Sequence, residues 1–119
     1  MSPYLDMERV MRILFLDDLR IPFDIFKAEV EQHNFCIVRT VSEAIEAILH
    51  ERFDKWSLDH DLGEELTGYD FVKSVAYEYP ELWCYNINVH SANPIGRENI
   101  EKFAKNFSDF LNASKKENI

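Results

Sequence analysis

Three short apolar runs in this chain each end abruptly in residues that can do chemistry. Residues 13–16 run into Asp17-Asp18-Leu19-Arg20, residues 56–58 into Asp59-His60-Asp61-Leu62-Gly63, and residues 87–89 into His90-Ser91-Ala92-Asn93. If the runs are neighbouring parallel strands, Asp17, Asp18 and Asp59 share one rim of a sheet. Carboxylates that close repel strongly unless a cation or a shared proton lies between them. Hard oxygen donors suit Mg²⁺ or Mn²⁺, with Asp61 as a further candidate ligand.

The two rim histidines offer a different chemistry. Imidazole exchanges its proton near neutral pH, so His60 and His90 can act as base and acid on either side of a phosphodiester. They can equally bind a softer ion such as Zn²⁺ or make structural hydrogen bonds. Ser91, Asn93 and the amides of residues 92–96 are donors for phosphate oxygens at the start of a helix. Arg97 lies in that first turn, where a cation opposes the helix dipole, so a ligand role explains it better than helix stability does. Arg20 is a second candidate phosphate clamp, in competition with a salt bridge to the neighbouring carboxylates. His33 and His50 fall near helix ends and read as structural.

The elements that must position these residues alternate four times. Strands are expected at residues 12–16, 35–38, 56–58 and 85–89. Pro22 opens a helix with Phe23, Phe26 and Val30 at helical spacing, which Asn34 stops. Thr40 and Glu43 have capping-box spacing ahead of Ala44, Ile45, Ile48 and Leu49. A loop over residues 59–68 holds two of the three glycines. Residues 69–79 form a helix with Val72, Val75 and Ala76 inward, ended by Pro80. After Pro94 comes a long amphipathic helix with Ile100, Phe103, Ala104, Phe107, Phe110 and Leu111 in its stripe. Residues 1–11 read as an N-terminal extension and residues 114–119 as a polar tail.

That alternation implies right-handed βαβ units, and hence a doubly wound parallel sheet in a three-layer α/β/α sandwich. The expected strand order is 2-1-3-4, with the switch point between strands 1 and 3. Adjacent strands lie about 4.8 Å apart, so side chains at the ends of strands 1, 3 and 4 can reach one ligand.

Size and charge narrow the function. The chain has 119 residues, which fits one domain spanning 1–119. Its formal net charge of -9 argues against general affinity for nucleic-acid backbone, which needs Lys and Arg. A small phosphorylated ligand remains compatible when a bound cation bridges it to an acidic rim. Cys36 and Cys84 lack metal-ligand spacing and read as small buried residues in a reducing compartment. With no signal peptide and no apolar run long enough to cross a bilayer, the expected location is cytoplasmic, with no membrane partner.

The three motifs resemble a family. The arrangement is similar to the receiver domain of response regulators, in which an acidic pair ends strand 1, a phosphoacceptor Asp ends strand 3, and a Ser or Thr followed by Ala ends strand 4. Asp17-Asp18, Asp59 and Ser91-Ala92 match those positions. A receiver also has a fifth strand ending in Lys and a fifth helix, which this chain lacks. Still more similar is a divergent group, the cyclic-phosphate-processing receiver-like domain. Leu16-Asp17-Asp18-Leu19-Arg20-Ile21-Pro22 resembles its first motif. Leu58-Asp59-His60-Asp61-Leu62-Gly63 with Thr67-Gly68 resembles its second, and Val89-His90-Ser91-Ala92-Asn93-Pro94 with Gly96-Arg97 its third. The resemblance implies processing of cyclic phosphates of nucleotides or RNA ends, in bacteria or their phages.

The leading expectation is therefore a phosphoesterase. Asp17, Asp18, Asp59 and Asp61 hold a divalent metal, and His60 and His90 serve as base and acid. Arg20, Ser91, Asn93 and Arg97 hold the phosphate, and either water or Asp59 is the nucleophile. The alternative is a non-catalytic module that binds a nucleotide or a protein partner through the same pocket. A phosphoacceptor regulator comes last, for want of the Lys.

Overall fold

The computed structural model describes residues 9–117, with side chains to Lys115. Four parallel strands form one sheet: β1 (Arg12–Leu16), β2 (Asn34–Val38), β3 (Lys55–Leu58) and β4 (Ile87–Val89). Their order is 2-1-3-4, as expected. The helices are α1 (Pro22–Phe26), α2 (Val41–His50), α3 (Gly68–Glu78) and α4 (Pro94–Glu117).

Side chains alternate across a strand, and that parity divides the molecule into two unequal halves. Leu14 and Leu16, Trp56 and Leu58, and Val89 face one side. There they meet Ala44 and Ile48 of α2, Phe71, Val72 and Val75 of α3, and Ile100 and Ala104 of α4. Helix α3 packs between α2 and α4. An aromatic chain fastens this layer: Trp56 lies 5.0 Å from Phe71 and 5.5 Å from Trp83, and Trp83 lies 4.7 Å from Phe107. The Trp83 indole N–H donates to Ser108 Oγ at 3.0 Å, which satisfies its one polar atom.

The opposite side is thin. Phe15 meets Phe35 edge-on at 6.5 Å, and Phe26 of α1 covers Phe35 at 5.2 Å. The same side of β3 and β4 is polar, carrying Lys55, Ser57 and Asn88.

Local signals set the helix starts. Thr40 caps α2, accepting the Glu43 N–H, while the Glu43 carboxylate takes the Arg39 N–H. The reciprocal bond thus lands one residue before the cap. Thr67 and Asp70 form a complete capping box at α3.

Several expected boundaries shift. The helix after Pro22 lasts only five residues and passes into a 3-10 segment, Lys27–Gln32. Lys27 has φ of 52°, in the left-handed region, which ends the α-helix there. Strand β4 begins at Ile87 rather than residue 85. The expected polar tail is helical as far as Glu117, and Lys115 Nζ lies 4.9 Å over the Tyr85 ring. Leu49 and Phe110, expected inward, are exposed. Of the expected extension, residues 1–8 lie outside the described part; Met11 donates its N–H to His33 Nδ1. Cys36 and Cys84 are free thiols, partly and fully buried. Among the described residues no helix is long and apolar enough to cross a membrane.

Gly68 couples the fold to the rim. It opens α3, donates to the His60 carbonyl at 2.8 Å, and leaves no room for a Cβ against the Asp59 carbonyl. Gly68→Ala is therefore expected to cost about 2 kcal/mol or more, as overpacking against backbone does. Chemical denaturation measures it; a variant as stable as the parent would show that α3 can slide away from the rim.

Candidate functional site

The rim is an extension of the sheet ladder. Asp17 N–H donates to the Val38 carbonyl, Asp59 N–H to Leu16, and His90 N–H to Leu58. The hydrogen bonds thus continue one step past the strands, holding Asp17, Asp59 and His90 side by side.

Asp17 is the most enclosed of them, with no exposed surface. Its Oδ1 accepts the N–H groups of Leu19 (2.9 Å) and Arg20 (2.8 Å), which folds the chain back in a tight turn. Its Oδ2 meets Arg20 Nε at 3.2 Å and His90 Nε2 at 3.1 Å. Burial alone would raise this carboxyl's pKa. The two backbone donors, with help from His90 and Arg20, more than offset that and hold it below the ordinary Asp value. Arg39 closes the turn from outside, its Nη1 donating to the carbonyls of Asp17 (2.8 Å) and Arg20 (2.6 Å).

Asp59 is pushed the other way. Burial first, then the Asp17 charge beside it, raises its pKa against the opposing His60 N–H, Ser91 hydroxyl and Arg20 guanidinium. The His60 N–H reaches Asp59 Oδ1 at 2.8 Å, and Arg20 Nη2 lies 3.9 Å from Oδ2. Asp18 is half-buried, and oxygens of Asp17, Asp18 and Asp59 all lie within 4.8 Å of one another. That donor set, all hard oxygens under mutual repulsion, fits a divalent cation.

A concavity of about 320 Å³ opens over these groups, lined by Asp17, Asp18, Arg20, Asp59 and Asp61 with Leu19, Gly63 and Ala92. Five of the residues singled out in the sequence thus meet in one place. Most of the others stand one bond behind, each holding a carboxylate. His60 Nδ1 bonds Asp61 at 2.8 Å, and Asn93 Nδ2 bonds the other Asp61 oxygen at 3.3 Å. Hydrogen bonding from His60, above all, holds the Asp61 carboxyl below its usual range. The His60 ring lies flat against Gly96, where any Cβ would overlap it. The Ser91 hydroxyl acts to lower the Asp59 pKa, and its Oγ accepts the Asn93 N–H at 3.0 Å. Arg97 is not brought in: it is half exposed and its Nε pairs with Glu101 along the helix at 3.6 Å.

His90 sits deeper than its place in the sequence suggests. Its ring stacks on Phe15, with centroids 4.8 Å apart and planes 10° from parallel. Nδ1 bonds Ser57 Oγ at 2.8 Å and Nε2 bonds Asp17. Both nitrogens are committed and neither lines the concavity. With the ring neutral, Nε2–H donates to Asp17 and the Ser57 hydroxyl donates to Nδ1. Ser57 itself can accept from Asn88 Nδ2 at 3.5 Å. Sequence reasoning assigned no role to Ser57, Phe15 or Arg39. Strand parity was the available signal: Phe15, Ser57 and Asn88 are direct ladder partners, on the side toward which His90 also points.

Desolvation depresses the His90 pKa to about 4, against the pull of Asp17. The unfolded chain takes up a proton near pH 6.5, whereas the folded one refuses it until about pH 4. His90 therefore withdraws stability as pH falls through that window, up to roughly 3 kcal/mol, and has no effect above it. NMR of metal-free protein should show a His90 ring that does not titrate between pH 7 and 5. His90→Gln should flatten the slope of stability across the same range. A ring midpoint near 6.5 would overturn this account.

The comparisons with known proteins agree with this architecture. Response regulator protein TrrA from Thermotoga maritima, solved in complex with Mg²⁺-BeF, matches with a TM-score of 0.58 at 17% identity, over 88% of this chain and 96% of that one. NtrX from Brucella abortus matches with a TM-score of 0.53 at 17% identity, over 91% of this chain and 29% of that one. At such identities these structures share the receiver fold. No curated protein sequence matches. A family model described as the cyclic-phosphate processing receiver domain covers residues 12–106, and the chain belongs to that family.

Proposed function

We propose that the protein is a metal-assisted phosphoesterase that opens a cyclic phosphodiester of a nucleotide or an RNA end. One observation carries this reading: carboxylates from two adjacent strand ends and an arginine line a single concavity in a chain of the cyclic-phosphate family. Asp17, Asp18 and Asp59 would hold the cation. A divalent ion there supplies charge neutralisation at the phosphoryl oxygens.

The protein's own groups do the rest. Hydrolysis adds water across a ring P–O bond, so one proton leaves the water and one reaches the departing ribose oxygen. Asp61 faces the concavity with His60 hydrogen-bonded behind it. That pair is the proton-handling group of this reading, because the ring nitrogens of His90 are already engaged. His90 serves instead as a positioning residue, fixing the Asp17 carboxylate from the side away from the ligand. Arg20 is the arginine within reach of a phosphate in the concavity.

The competing reading is a non-catalytic binder of the same ligands. The seclusion of His90 favours it, since an acid expected to touch substrate does not.

Turnover separates the two. A panel of 2′,3′- and 3′,5′-cyclic nucleotides and cyclic-phosphate-ended RNA, assayed by mass with Mg²⁺ or Mn²⁺, should show ring opening that chelator abolishes. His60→Ala should lower kcat about 10²-fold or more, as loss of a general acid–base group does. Binding without turnover under every metal would replace the enzyme with a binding module.

A further inference from the structure

We propose that Arg20 is the site's resident counter-ion, displaced by a divalent cation and then captured by the phosphate, so that the two ligands bind in order and each strengthens the other. This inference rests on the metal reading above and concerns what the chain does before the metal arrives.

The guanidinium bridges the two most buried carboxylates of the rim. Its Nε lies 3.2 Å from Asp17 Oδ2 and its Nη2 lies 3.9 Å from Asp59 Oδ2. Those same two carboxylates, with Asp18, are the donors suited to a divalent ion. A cation bound by them takes the lone pairs and the space that the guanidinium uses. Like charges at that separation repel, so both cannot stay.

The side chain is built to leave without taking the turn along. The Arg20 N–H is bonded to Asp17 Oδ1 at 2.8 Å, and the Arg20 carbonyl accepts from Arg39 at 2.6 Å. Those main-chain bonds do not involve the guanidinium. The side chain itself remains 36% exposed, whereas Asp17 is 1% exposed, so a path to solvent exists for the arginine alone. The main chain is bonded in place, and only the partly exposed head has to move.

Charge then dictates the order. Four carboxylates and one guanidinium line the concavity. With that guanidinium paired to Asp17, a phosphate meets mostly negative surface. Once a divalent ion sits on the carboxylates, the region is less negative and the arginine's planar fork is released beside it. That fork matches two phosphate oxygens. Coupling between ligands is reciprocal, so phosphate must also tighten the cation.

Two titrations on the full chain test this, with Mg²⁺ and with dimethyl phosphate, an inert phosphodiester, followed by ¹H–¹⁵N NMR. In the wild type, Mg²⁺ should move the Arg20 Nε–H resonance as its Asp17 bond breaks, and should tighten dimethyl phosphate several-fold. Arg20→Gln removes the competing charge while keeping the backbone bonds. It should bind Mg²⁺ several-fold more tightly, because the ion no longer has to displace a competing charge, yet show no gain in dimethyl phosphate affinity. Arg20→Lys, which keeps the charge without the fork, should retain weak Mg²⁺ affinity and part of the coupling. If Mg²⁺ binds to the wild type and Arg20→Gln leaves its affinity unchanged or weaker, the counter-ion role fails while the metal site stands. If Mg²⁺ binds neither protein, the metal reading fails and this inference with it.

Discussion

The structure turns on one buried charge. Asp17 has no exposed surface, and an isolated carboxylate so placed would be prohibitively costly. It is tolerated because every direction around it is answered. Two backbone N–H groups reach one oxygen, and Arg20 and His90 reach the other. Removing one partner of such a pair leaves the rest uncompensated, typically a loss of 3–5 kcal/mol. The turn from β1, the seat of His90 and the position of Arg20 are therefore consequences of keeping Asp17 ionised.

That requirement explains the asymmetry of the two sheet faces. The face under α2, α3 and α4 is apolar and carries the large aromatic side chains. The thin face carries a polar line, Asn88 to Ser57 to His90 to Asp17, running from mid-sheet to the rim. Asn88 is partly accessible at one end of that line, while Ser57 and His90 are sheltered by Phe15 and the strands. A histidine stacked on phenylalanine and bonded through both nitrogens is a rigid part. At the rim its Nε2 fixes one oxygen of the Asp17 carboxylate.

Much of this was legible in the sequence, and the missing parts have identifiable causes. Apolar runs ending in Asp, Asp and His announced strand ends, and alternation with helices announced their order. The grouping of Asp17, Asp18, Asp59, Asp61 and Arg20 followed from those two facts. The direction of the His90 ring did not, because it depends on what stands at the same side of the adjacent strand. Ser57 reads as an incidental hydroxyl until the register pairs it with Phe15 and Asn88. Arg97 stands apart from the group for a helical reason. Gly96 faces His60, and the next residue turns about 100° away, where Glu101 one turn on receives it. The short α1 was obscured by Lys27, whose left-handed backbone has no signature in residue type.

The two neighbouring carboxylates at the centre are chemically unlike, and that difference is a product of the backbone. Asp17 sits where a tight turn aims two N–H groups at one oxygen, so its charge is fixed by main chain that cannot move without unfolding the turn. Asp59 is buried with a single main-chain donor and stands beside the fixed charge, so its pKa rises where that of Asp17 falls. Environments that push two adjacent acids apart divide their roles. Asp17 is the permanent anion that organises the rim. Asp59 is the acid that burial and the neighbouring Asp17 charge make harder to ionise. Placing one of each on adjacent strand ends lines a preformed cavity with two acids of unlike strength.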